Sequence, residues 1–151
     1  MNLIETERLI LREFSEADAP FVLALVNDPA WIKFIGDRGV RSLDDARIYI
    51  AERLQKSYQE FGFGMWLVER KEFGAPIGMC GLLKRDYLAD LDIGFGFMPA
   101  FRGQGYALES ACAVLDYGKE KFGLKHVLAF ALPENHPSQN TYEVCSPDSL
   151  L

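Results

Sequence analysis

Arg102-Gly103-Gln104-Gly105-Tyr106-Ala107 places two glycines and a cation immediately ahead of a long segment with helical apolar spacing. A helix start leaves backbone N–H groups without partners and carries partial positive charge, so a loop that lets a ligand come close makes an anion site. Phosphate is the ligand this chemistry predicts. The loop has neither the Gly-Lys-Ser/Thr ending of a triphosphate and Mg²⁺ loop nor the full G-x-G-x-x-G order of a dinucleotide fold. A plain glycine-rich turn is the other reading of the loop taken alone. Two acids flank it: Asp92 in the preceding segment, and Glu109 in the first helical turn, where the helix dipole alone explains an acid. Cys80 falls in a strand and Cys112 on a helix, settings in which cysteine is inert filler, so no cysteine nucleophile is expected. His126 and His136 lack metal-ligand spacing, and no metal site is expected.

The strand before the loop must deliver both Asp92 and the glycines. Leu91, Ile93, Phe95 and Phe97 alternate with Asp92, Gly94, Gly96 and Met98, giving one apolar face and one face kept narrow by glycine. Pro99 cannot donate to a ladder and ends the strand. Ala107, Ala111, Val114, Leu115, Gly118 and Phe122 share one face of a helix expected over about 105–121, and Gly123 stops it. His126 to Leu132 is a nearly continuous apolar run, which predicts a strand covered on both sides and parallel to its neighbour. A strand, a helix and a parallel strand form a right-handed unit with its ligand at the carboxyl ends of the strands.

Upstream, residues 3–13 alternate around Leu9 and Leu11 and predict a single first strand. Ser15-Glu16-Ala17-Asp18 is a capping-box pattern, and Pro20 suits a first turn capped by Asp18, so a helix is expected at about 18–27. Asn27-Asp28-Pro29 stops it, and the run from Trp31 to Ile35 follows, with Trp31 and Phe34 expected to pack. A second capping box, Ser42 to Asp45, opens an amphipathic helix to about Glu60. Phe63 to Glu69 and Pro76 to Lys84 read as two strands continuing through a polar loop into the strand of Asp92, most simply antiparallel.

The 151 residues, 49% of them hydrophobic, suffice for one domain with a real core. A net charge of −6, from 16 basic and 22 acidic residues, argues against a nucleic-acid surface and is compatible with cationic substrates such as amines. Three cysteines without C-x-x-C spacing fit free thiols in a reducing cytosol, and no apolar run approaches a membrane span, so a cytoplasmic protein is expected.

Arg102, Gly105 and Ala107, spaced Arg-x-x-Gly-x-Ala directly after Asp92-Ile93-Gly94-Phe95, resemble the acetyl-CoA motif of the GNAT superfamily of N-acetyltransferases. Thr6-Glu7-Arg8-Leu9-Ile10-Leu11-Arg12 and Pro76-Ile77-Gly78-x-x-Gly81 make the ribosomal-protein alanine acetyltransferases the branch it is most similar to. The resemblance implies a mixed α/β fold with a mostly antiparallel sheet and helices on both faces. It implies that the loop amides hold the CoA pyrophosphate and that the preceding strand pairs with the pantetheine arm. Cofactor contacts are thereby assigned to Phe97, Met98, Arg102, Gly103, Gln104, Gly105, Tyr106, Ala107 and Asn135.

The same resemblance makes Asp92, where the family often carries a Glu, the base for the attacking amine, directly or through water; a solvated strand carboxylate is its other reading. Tyr142 falls where the superfamily frequently places the tyrosine that protonates the departing thiolate, with packing as its other reading. The family's acceptor pocket is lined by the segment between the first two helices, which adds substrate contact to the readings of Trp31 and Phe34. The match runs to about Glu143, after which the family continues through Gly-Phe into two more strands and this chain reads Val144 to Leu151. One domain over residues 1–151 is therefore expected, incomplete at its C-terminus, with a homodimer expected to cover the apolar strand left at the edge and packing of the tail from Val144 to Leu151 as the other reading. The implied function is acetyl transfer from acetyl-CoA to a primary amine, either a protein N-terminus or a small amine, without metal, nucleic-acid or membrane partners. A non-catalytic CoA-binding module and a nucleotide-phosphate binder are the competing readings.

Overall fold

In a computed structural model that describes residues 4–34, 37–84, 91–123 and 127–128, the strands of one six-stranded sheet lie side by side in sequence order. Strands β1 (Ile4–Glu5), β2 (Leu9–Arg12), β3 (Met65–Arg70), β4 (Pro76–Leu83) and β5 (Leu91–Phe97) pair antiparallel in turn. Strand β6 (Val127–Leu128) pairs parallel with β5, as the apolar run from His126 predicts. Residues 129–151, and with them Asn135, Tyr142 and the expected incomplete C-terminus, lie outside the described residues.

Residues 3–13 do not make a single strand. The chain reverses between β1 and β2, where Thr6 N donates to Leu9 O at 2.9 Å and Leu9 N donates to Thr6 Oγ1 at 3.0 Å. A threonine side chain closes this turn in place of the Gly, Asn or Pro that marks most turns, and the four polar residues from Glu5 to Arg8 carry no turn signal of their own.

A 3₁₀ turn at Glu16–Asp18 leads into α1 (Ala19–Val26), with Pro20 in its first turn, and then α2 (Pro29–Phe34). Ser42 Oγ accepts the Asp45 N–H at 3.1 Å and caps α3 (Leu43–Tyr49). Helix α3 passes through a π-helical stretch (Ile50–Gln55) into α4 (Lys56–Phe61), which Gly62 ends. Periodicity predicts a regular helix here, and no Gly or Pro between Leu43 and Phe61 marks the wider turns. Helix α5 (Tyr106–Phe122) is bounded by Gly105 and Gly123.

The helices sort to the two faces of the sheet by strand alternation. Trp66 and Val68 of β3 point to the α5 side, where they join Leu9, Leu11, Ile93, Ala111 and Val114. Met65 and Leu67 point to the other side, where Val22, Leu25, Ile50 and Leu54 cover them. Each Val, Leu, Ile or Met side chain among them, fully withdrawn from water, contributes roughly 1.5 to 3 kcal/mol. Buried on the α5 side, Cys80 is a free thiol that burial pushes up to about 12, consistent with inert filler. Cys112 is not a free thiol, which departs from the expectation for this chain. Among the described residues no helix is long and apolar enough to cross a membrane.

Arg12, at the end of β2, ties the layers. Its guanidinium donates to both oxygens of Asp18 at 2.9 Å and to Glu69 at 3.3 Å. Burial opposes the charge on Asp18, and the hydrogen bonds from Arg12 and Ser15 outweigh it, holding the carboxyl below its ordinary value. Arg12→Gln is expected to cost about 2 kcal/mol near neutral pH. Because the folded-state value of Asp18 is lowered, this contribution is complete above the unfolded value of about 4 and fades as the pH falls through the folded one. Urea unfolding of both proteins should show the gap between them narrowing below about pH 4; a gap independent of pH would contradict the assignment.

Where β4 crosses the end of β5, Gly78 pairs with Phe97. A Cβ at Gly78 would lie 2.5 Å from the Gly96 carbonyl oxygen and 2.5 Å from the Phe97 ring. The oxygen is backbone and cannot swing away. Gly78→Ala should therefore destabilise the protein by about 2 kcal/mol in urea titration, and a loss below about 0.5 kcal/mol would show that the strands have room to separate.

Candidate active site

Beyond Phe97 the chain leaves the sheet in three short steps. Met98 N donates to Ile77 O at 2.9 Å, adding one bond to the ladder, and Pro99–Phe101 make a 3₁₀ turn. Gly103 and Gly105 then take left-handed backbone, with φ of 76° and 84°, and Gly105 starts α5. The first bond of the helix runs from Glu109 N to Gly105 O at 3.0 Å, so the amides of Tyr106 and Ala107 have no acceptor within the helix. The position a Cβ would take at Gly103 is surrounded by open space. Loop and helix start together present main-chain donors on which an anionic group fits.

The β1–β2 turn braces this loop from the α5 side. Glu109 accepts hydrogen bonds from Thr6 Oγ1, from Arg8 N at 2.9 Å and from Arg8 Nε at 2.6 Å. Burial opposes its charge, and the Thr6 and Arg8 donors outweigh that and hold the carboxyl below its ordinary value. A carboxylate so occupied is a fastening and not a base. Arg8 also donates to Gln104 O at 3.1 Å, and its guanidinium lies 4.3 Å from the centre of the Tyr106 ring. The Gln104 side chain turns back to Ala100 O at 2.8 Å.

On the other side, Arg102 Nε donates to Phe97 O at 3.0 Å and Arg102 Nη2 to Asp28 Oδ2 at 2.7 Å. The same Asp28 oxygen accepts the N–H groups of Ala30 at 3.1 Å and Trp31 at 3.3 Å, capping α2. Burial opposes the Asp28 charge, and the bonds from Arg102 and the two amides outweigh it, so the carboxyl stays below its ordinary value. Thr6, Arg8 and Asp28 were not visible as site residues in the sequence, because their partners lie 74 to 103 positions away.

The remaining residues divide by burial. Phe97 and Tyr106 bury their rings on the α5 side, at 5% and 6% exposure, and Ala107 packs against the same cluster, so these side chains serve the core. Met98 packs on the opposite face. Asp92 sits across from Leu83 of β4 at 3% exposure, which overturns its reading as a solvated strand carboxylate. Alternation along β5 puts it on the glycine side, the side of α1 to α4, roughly 17 Å along the strand from Phe97. Trp31 is buried among Val26 and Val40, so packing describes it, yet its indole Nε1 has no hydrogen-bond partner. The Phe34 side chain, like Asn135 and Tyr142, lies outside the described residues. Two surface hollows, of about 480 Å³ between β1 and α5 and about 330 Å³ beside α3, include neither Asp92 nor the glycines of the loop. Among the described residues no cluster of His, Cys, Asp or Glu could hold a metal ion.

The model of the acetyltransferase (GNAT) domain matches residues 8–145. The uncharacterized N-acetyltransferase YnaD of Bacillus subtilis (strain 168) is 30% identical over 135 residues, which is 89% of this chain and 76% of its own. The acetyltransferase from Agrobacterium tumefaciens str. C58 superposes with a TM-score of 0.81 at 25% identity, covering 97% of this chain and 83% of that one. A spermidine N-acetyltransferase from Vibrio cholerae, solved with CoA and spermine, shares the fold at a TM-score of 0.75 and 21% identity, over 93% of this chain and 81% of its own. The mixed sheet, the glycine-opened helix start after β5 and a match running through both agree, and the chain belongs to the acetyltransferase (GNAT) family.

Proposed function

We propose that this acyltransferase moves the acetyl group of acetyl-CoA to a primary amine, with the diphosphate held at Arg102 to Ala107 and Asp92 accepting the proton of the amine. The observation that carries this reading is the arrangement along β5, a glycine loop opening a helix at one end and a buried carboxylate a strand's length before it. The extended arm between the diphosphate and the thioester of acetyl-CoA is suited to that separation. When bound, acetyl-CoA supplies the activated acyl carbon. The chain supplies main-chain donors that fix the diphosphate, a strand that aligns the arm, and a carboxylate that takes a proton as the amine attacks the acyl carbon, the C–S bond breaks and CoA departs as its thiolate. Two observations support an amine acceptor: a net charge of −6, and a relative at 30% identity named as an N-acetyltransferase.

Calorimetric titration should show acetyl-CoA and CoA binding and ATP failing to compete. Gly105→Val should weaken acetyl-CoA at least tenfold, about 1.4 kcal/mol, by closing the approach to the helix start. Gly74→Val is the control for backbone strain, since Gly74 has φ of 61°, open space about its Cβ position and a place in the turn before β4. Wild-type affinity in Gly105→Val would remove the loop from the binding site.

Asp92→Asn should lower kcat by roughly 10² to 10⁴ while the affinity for acetyl-CoA stays within about twofold. Thiol release measured with a panel of amines across a pH series reads both quantities. Unchanged kcat with an unchanged pH profile would make Asp92 a structural carboxylate.

A further inference from the structure

Arg102 is the one cation in the glycine loop, and a loop built for phosphate invites the assumption that its guanidinium meets the ligand. Two of its donors are directed elsewhere. Nε is bonded to the carbonyl at the end of β5 and Nη2 to the buried carboxylate of Asp28, so the side chain spans from the loop to the α1–α2 junction. That junction is itself anchored. Asn27 donates to Leu23 O at 2.7 Å and Val40 O at 2.8 Å and accepts Arg41 Nη1 at 3.0 Å. Asp28 adds the two amide bonds that cap α2.

We infer that Asp28 is a positioning residue for the acetyl-CoA loop: through Arg102 it holds the segment after β5 in its ligand-accepting shape before the ligand arrives. This rests on the acetyl-CoA reading of the loop. A charge-assisted bond of 2.7 Å to a carboxylate that burial shields from water restrains a long side chain strongly, and Arg102 transmits the restraint to the Phe97 carbonyl from which the loop departs. Without it the loop pays the ordering cost on binding, and affinity falls although no contact to the ligand is lost.

The capping and positioning roles of Asp28 separate by substitution. Asn and Ser still cap a helix, because each keeps an oxygen for the Ala30 and Trp31 amides, but neither offers Arg102 a charged partner. Asp28→Asn and Asp28→Ser should bind acetyl-CoA five- to tenfold more weakly by calorimetry and raise its KM more than they lower kcat. Asp28→Glu should recover part of the loss. Arg102→Gln should weaken binding to the same extent, and the Asp28→Asn, Arg102→Gln double variant should be no worse than either single change. Urea unfolding of each variant records the cost to folding separately. If both cap-preserving variants bind at wild-type strength, Asp28 serves only α2. If they bind more tightly, a released Arg102 reaches the diphosphate, and the inference fails in that case too. Additive losses in the double variant would equally overturn it. Failure of the wild-type protein to bind acetyl-CoA would instead overturn the reading of the loop on which the inference stands.

Discussion

Glu109 joins the two parts of the molecule that the loop needs most. It sits in the first turn of α5, where its charge answers the positive end of the helix, and it accepts hydrogen bonds from Thr6 and Arg8 in the turn between β1 and β2. Arg8 extends the contact to the Gln104 carbonyl and over the Tyr106 ring. The edge hairpin of the sheet is thereby fastened to the helix start from behind. The fastening uses side chains, the Arg8 amide and one loop carbonyl, and it does not use the first-turn amides of Tyr106 and Ala107.

A second fastening meets the loop from the opposite direction, where Arg102 reaches Asp28 between α1 and α2. The two ion pairs come from opposite sides of the sheet, since α5 covers one face and α1 to α4 the other. A glycine-rich loop has high backbone entropy when free, and two charged contacts at its flanks offset much of that freedom without filling the space in front of it. Strand β5 completes the frame. Its apolar residues, Ile93, Phe95 and Phe97, anchor it to the α5 side, which turns Asp92 and the glycines toward the other face. The acid and the loop are held at a fixed separation by a rigid element instead of by a flexible connection.

What could be read in the sequence is what depends on local pattern. The β3 to β5 meander, α5 between its two glycines and the parallel β6 all follow from apolar periodicity and from Gly or Pro at their ends. The first hairpin was hidden because its turn is closed by the Thr6 hydroxyl and carries neither glycine nor proline. The π-helical stretch was hidden because Ile50 and Leu54 keep ordinary helical spacing. The glycines at 103 and 105 marked the left-handed turn that opens α5. The partners of Arg102 and Glu109 could not be read, since nothing local records which carboxylate or guanidinium a distant segment will bring. Thr6 to Arg12 resembles the family's N-terminal pattern, and the structure supplies a physical reason for three of its positions: Thr6 and Arg8 brace the loop, and Arg12 binds Asp18 and Glu69.

The proposed acetyl transfer depends on acetyl-CoA binding at the amides that start α5. Hydrogen exchange at the backbone of residues 103–107, with and without saturating acetyl-CoA, tests it at the atoms concerned. If those amides hold the ligand, exchange in the Gly103 to Ala107 segment slows by at least tenfold on binding, while the exposed turn at Phe73 and Gly74 keeps its rate. Protection that leaves this segment unchanged, or falls elsewhere in the chain, would contradict it.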